Sequence, residues 1–136
     1  MRAPLVGGLL VAALSGCAAS NTVSEGSDPA APCASLPAAD PGASLPDGFP
    51  VLAGQVLYGP ASQGATTIVF GRVEGSDVVA LRDDLAERLA TAGYEIDGTD
   101  QEAVEAEAHF SAPREGSVKV QQLCAGVLSV RYRLSG

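Results

Sequence analysis

Val104-Glu105-Ala106-Glu107-Ala108-His109-Phe110-Ser111 decides the fold of this chain. Val104, Ala106, Ala108 and Phe110 fall on one side, and Glu105, Glu107, His109 and Ser111 on the other. That is the period-two pattern of a half-buried strand. The pattern continues downstream. Residues 112–116 read as a hairpin loop. Val118 and Val120 then face in while Lys119 and Gln121 face out. Cys124-Ala125-Gly126 marks another connection, after which Leu128, Val130, Tyr132 and Leu134 alternate with Ser129, Arg131 and Arg133. Successive strands with one wet face each predict an antiparallel meander.

Upstream the period changes. Val78, Leu81, Leu85 and Leu89 recur at spacings of three and four, the stripe of an amphipathic helix. Gly75-Ser76-Asp77 offers a cap for its start and Gly93 a stop for its end. Arg82, Asp83, Asp84, Glu87 and Arg88 are assigned to its outer face. Before the helix, Gln55 to Tyr58 reads as a short strand closed by Gly59-Pro60, and Thr66 to Val73 as a second, more buried one. After it, Tyr94-Glu95-Ile96 reads as a short strand ended by a turn at residues 97–100. A lone helix must bury its stripe against a sheet. The expectation is therefore an α+β domain of two layers: one helix packed on an antiparallel sheet of about four to six strands, in the order β-β-α-β-β-β-β.

The N-terminus reads differently. Met1-Arg2 gives a positive start, residues 3–14 carry no charge, and small residues lead to Cys17. This is the layout of a secretory signal peptide. The apolar run falls short of the roughly 20 residues that span a bilayer. Leu14-Ser15-Gly16-Cys17 resembles the lipobox of bacterial lipoproteins. The resemblance implies cleavage before Cys17, a diacylglycerol on its sulfur with further acylation such as palmitate, and anchorage at the cell membrane or outer envelope. The domain would then face the extracytoplasmic side. The expected organisation is a signal peptide at 1–16, a lipidated flexible tether at 17–44, and the α+β domain at 45–136. Pro29, Pro32, Pro37 and Pro41 mark the tether, which has few large apolar residues to offset its ordering entropy. The Pro46-Asp47-Gly48-Phe49-Pro50 opening, with the strand, helix, Gly93-Tyr94 and meander after it, is similar to small lipoproteins of high-GC bacteria. That similarity implies no particular activity.

Two cysteines remain beside Cys17. In an oxidising compartment an even count favours a disulfide, here Cys33–Cys124. The formal net charge of −8 argues against nucleic acid as a partner, because such binding rests on Lys and Arg neutralising phosphates. The partners expected are the membrane, through lipid on Cys17, and either an envelope protein or a small ligand.

Little catalytic equipment is legible. No Gly-x-Ser-x-Gly, Ser-x-x-Lys, Gly-x-Gly-x-x-Gly or P-loop pattern occurs. Glu105, Glu107 and His109 share one strand face and are weak candidates for metal ligands, since carboxylates and imidazole both bind divalent ions. Same-face neighbours lie about 6.6–6.8 Å apart, so a site needs convergence by long side chains. Opposite charges on successive strands, with Glu105 and Glu107 on one and Lys119, Arg131 and Arg133 on the next two, give most of them a structural use. No cofactor is expected. The function expected is a membrane-anchored envelope lipoprotein acting as a non-enzymatic accessory or binding module. One alternative is an inhibitor or scavenger working through a sheet edge or the Gly59–Ala65 loop. The other is a small envelope hydrolase.

Overall fold

The computed structural model describes residues 30–136. The signal segment, the lipobox-like motif and Cys17 lie outside them. Six strands and one helix follow in the expected order: β1 (Val56–Gln63), β2 (Thr66–Glu74), α1 (Val78–Thr91), β3 (Glu95–Gln101), β4 (Glu105–Ala112), β5 (Gly116–Cys124) and β6 (Val127–Ser135). The strands form one sheet in the order β1-β2-β6-β5-β4-β3, with every neighbouring pair antiparallel. The α+β reading holds: one helix is packed on a six-stranded antiparallel sheet. Among the described residues no helix is long and apolar enough to cross a membrane.

The helix begins and ends as its sequence dictates. The Asp77 carboxylate accepts from the backbone N–H groups of Val79 and Ala80, at 3.1 and 2.9 Å. At the other end Tyr94 N–H reaches Leu89 C=O and Gly93 N–H reaches Ala90 C=O. That double bond pattern needs a left-handed residue, supplied by Gly93 at φ +95°. Val78, Arg82, Leu85 and Leu89 are its buried residues. Arg82, expected on the outer face, is therefore turned inward. Its guanidinium is satisfied locally, donating to Asp83 Oδ1 at 2.7 Å and to the Asp100 carbonyl at 2.8 Å. The second bond ties the helix to the edge strand β3.

Two other expectations are corrected. β1 does not stop at Gly59-Pro60, and β3 does not stop at Asp97-Gly98. Both strands run on through a register shift, between Tyr58 and Ala61 in β1 and between Glu95 and Gly98 in β3. Bulges let a strand carry residues that read as turns. The turn joining β1 to β2 is accordingly confined to Gly64-Ala65, and the Gly59–Ala65 loop invoked for an inhibitor is mostly strand. Val104 is about half exposed and precedes β4, so the inward set of that strand begins at Ala106.

The inner face of the sheet is covered by two bodies. The helix lies over β3, β4 and β5. Phe49 and Leu52, from the segment before β1, join the same core. Phe49 sets its ring edge-on to Tyr94 and Tyr132, at centroid distances of 5.4 and 5.6 Å. Behind Phe49, the Gln55 amide donates to the Tyr132 hydroxyl at 2.6 Å, while its oxygen accepts from Leu52 N–H. Gly71 makes room for this: a Cβ there would collide with the Gln55 side chain.

The packed unit also reaches back past Leu45. Ala31 C=O accepts from Ala125 N–H at 2.8 Å, and Cys33 is bonded to Cys124, with Cα atoms 5.1 Å apart. Further along, Pro37 C=O accepts from Arg72 Nε, and Asp40 N–H donates to Leu57 C=O on β1. Residues 31–43 thus form a strap from the β5–β6 hairpin to the outer edge of β1. The disulfide joins residues 91 apart in sequence. A loop of that size restricts the unfolded chain by up to about 4–5 kcal/mol in the chain-entropy description.

Burial pushes the Tyr132 phenol from the ordinary 10.0 up to about 12, partly offset by the Gln55 hydrogen bond. The neutral phenol favours the fold fully below pH 10, and that contribution is lost as pH rises from 10 toward 12. Alkaline titration followed by tyrosinate absorbance should show a late step from Tyr132 that coincides with unfolding. Tyr132→Phe should remove that late step. Gly71→Ala should displace Gln55 from the Tyr132 hydroxyl and cost about 1–3 kcal/mol in urea unfolding. Gln55→Ala in the Gly71→Ala background should cost little more, because the bonds are already lost.

Candidate functional site

The outer face of the sheet carries no helix among the described residues, the strap reaches it only at the Arg72 end, and the registers fix which side chains share it. One row reads Tyr58, Phe70, Arg131, Lys119, Glu107, Asp100 from β1 to β3. The next reads Ala61, Ile68, Arg133, Ser117, His109, Gly98. The face is therefore banded. Its aromatic part is on β1 and β2, its cationic part on β6 and β5, and its acidic part on β4 and β3.

The bands differ in how far their polar groups are satisfied. On the aromatic side Tyr58 stacks on Phe70, with centroids 5.6 Å apart and planes 16° from parallel. The Tyr58 hydroxyl lies 3.3 Å from Ser129 Oγ. On the acidic side Lys119 Nζ sits 3.0 Å from Glu105 Oε1 and 3.8 Å from Glu107 Oε2. All three side chains are mostly covered, which strengthens the attraction relative to open water. His109 Nε2 lies 3.1 Å from Asp100 Oδ2, and Ser111 Oγ donates to Asp97 Oδ1 at 2.8 Å.

This geometry bears directly on the metal candidates. Glu105 and Glu107 already share a cation, the Lys119 ammonium, and His109 turns to the other strand. Among the described residues no group of three His, Cys, Asp or Glu is arranged to hold a metal ion. The arginines lie on the last strand of the meander, as expected, and therefore away from the glutamates. β5 lies between β4 and β6, so Arg131 and Arg133 stand two strands, about 9.5 Å, from the glutamates. Lys119 alone takes the ladder pairing.

That leaves Arg131 and Arg133 as the arginines with neither an ion pair nor a side-chain hydrogen bond among the described residues. Arg131 is half-buried, and its Nε has no hydrogen-bond partner and essentially no water contact. Its neighbour across β5 is Lys119, a like charge directly opposite, which is unfavourable. Beside it a hollow of about 300 Å³ is lined by Arg131, Arg133, Ser117, His109, Glu107 and Glu115, among others. Ser117 is one of the two buried polar residues of the described chain, the other being Arg82. Sequence reasoning placed Arg131 and Arg133 on the wet face and missed that they lack partners. The signal is three cations against two glutamates across three strands, but its meaning depends on the strand order.

No family model matches this chain, and no curated protein or solved structure is significantly similar to it.

Replacing Lys119 by Met should leave Glu105 and Glu107 facing each other without a cation. The expected loss is about 1–3 kcal/mol in urea unfolding, because the group removed is half-buried and hydrogen-bonded to a charge. Lys119→Arg should recover most of it.

Proposed function

We propose that this protein is a lipid-anchored lipoprotein of the cell envelope whose folded part is a non-enzymatic binding module on the extracytoplasmic side. The observation that carries the anchoring is sequence 14–17, Leu-Ser-Gly-Cys, closing a short uncharged run behind Arg2. A thiol is the nucleophile that lipid transfer requires, and small residues before it suit a tight peptidase site. The Cys33–Cys124 bond supports the same location, since disulfides persist in oxidising compartments. The net charge of −8 supports a domain held off anionic headgroups rather than lying on them.

Binding rather than catalysis is favoured by the state of the outer face. The carboxylates best placed for acid–base work, Glu105 and Glu107, are occupied by Lys119. What the face offers instead is a banded surface with uncompensated guanidiniums. The inhibitor alternative loses its loop, because residues 59–63 are part of β1. Its remaining route, strand pairing at a sheet edge, is opposed on β3 by Glu95, Asp97, Asp100 and a bulged register.

Anchoring through two or more acyl chains is stable, at about 0.8 kcal/mol per buried methylene. Cys17→Ala should therefore abolish incorporation of a clickable fatty acid and move the protein from the membrane pellet to the soluble fraction, or leave it as an uncleaved precursor. A Cys17→Ala protein that still took up lipid label and sedimented with membranes would overturn the anchoring.

A further inference from the structure

We infer that the hollow on the outer sheet face is a binding site for a small oxyanion, a carboxylate or a phosphate group, held by Arg131 and Arg133 with Ser117 between their strand and β4. This inference rests on the reading of the domain as a binding module. It adds a place and a ligand chemistry.

The chain has twice as many acidic as basic side chains, 16 against 8. In such a chain a half-buried guanidinium without an acidic partner, next to a second, exposed one, is a departure from what folding alone requires. Elsewhere among the described residues the arginines are engaged: Arg72 on Pro37 C=O, Arg82 on Asp83 and Asp100 C=O, Arg88 on Asp84, Arg114 on Ser135 C=O. Arg131 has the opposite arrangement. Its Nε is cut off from water with nothing to donate to, and Lys119 faces it across the ladder. A half-buried charge in this state is costly, and a bound anion offsets the cost by pairing with the exposed edge of the guanidinium.

Geometry supplies the rest. Arg131 and Arg133 are alternate residues of β6, so their side chains leave the same face about 6.8 Å apart and can converge on one group. The planar guanidinium fork matches the paired oxygens of a carboxylate or phosphate. Ser117 lies opposite Arg133 and His109 opposite Ser117, adding two polar groups in the same row. The hollow of about 300 Å³ fits a small ligand or one end of a larger one. Two carboxylates also line it. Glu107 is already paired with Lys119, and Glu115 is exposed, on the loop between β4 and β5. They set a negative rim that favours a compact anion over a polyanion.

The test uses the full chain, 15N-labelled, with arginine side-chain Nε–H resonances followed at constant ionic strength. Sodium phosphate and sodium acetate are titrated separately. Saturable shifts at Arg131, Arg133 and the Ser117 amide are expected with at least one anion, while Arg88 stays unmoved. The arm that saturates names the oxyanion class. Arg131→Gln and Arg133→Gln should each weaken binding about tenfold or more, with core amide resonances such as Ala108 and Val120 unchanged. Arg131→Lys, which keeps the charge and loses the fork, should weaken it severalfold. Linear shifts shared by all arginines, no shift with either anion, or undiminished binding by the Gln variants would each overturn the site. A flat titration with Cys17-dependent membrane association intact overturns the anion site alone. Loss of that association bears on the anchoring alone.

Discussion

One helix cannot cover six strands. At 4.7–4.9 Å between neighbours the sheet is about 24 Å wide, whereas a helix with its side chains is about 10–12 Å across. The helix is spent on β3, β4 and β5, and the rest of the inner face needs another cover. Phe49, Leu52 and Gln55 provide it from a segment with no regular structure of its own. Such a segment makes few backbone bonds to hold it in place. The strap of residues 31–43 and the Cys33–Cys124 bond restrain it from one side, and β1 from the other. The buried Gln55–Tyr132 hydrogen bond and the missing side chain at Gly71 follow from fitting that irregular cover onto the sheet.

Periodicity carried most of the fold in the sequence. Alternation in β4, β5 and β6 and the stripe of α1 named their faces and their order, and Asp77 and Gly93 named the helix ends. The failures share a cause. Gly59-Pro60 and Asp97-Gly98 are local turn signals, and pairing with a neighbouring strand carried the chain through them as bulges. Arg82 looked like surface because a guanidinium usually is. It is buried because β3 offers a free carbonyl at Asp100, which no local pattern reveals. Gly71 gave the one faint hint of the cover, a glycine inside a β-branched strand, where a close approach by another group is a common reason.

The outer face was half legible. The side chains on it were readable from alternation, and Lys119 with Glu105 and Glu107 is the kind of cross-strand pairing that alternation suggests. Which cation the glutamates take was not. The meander puts β5 between the glutamates and the arginines, and Lys119 reaches both Glu105 and Glu107, which leaves Arg131 and Arg133 without an ion pair. Alternation names the face a side chain is on, not how far it reaches across that face.

The disulfide has a mechanical consequence. Tension applied through the residues that precede the strap enters the fold at Cys33 and passes at once to Cys124, at the end of β5. β5 is an interior strand, hydrogen-bonded along both sides by β4 and β6. The strap beyond Cys33, the irregular cover, β1, β2 and the helix all lie inside the covalent loop and bear none of that load. A pull that would otherwise peel the cover off the sheet, one weak contact at a time, instead loads the two ladders that flank β5, to β4 and to β6, in parallel. The part of the fold with the least regular structure is thereby taken out of the force path.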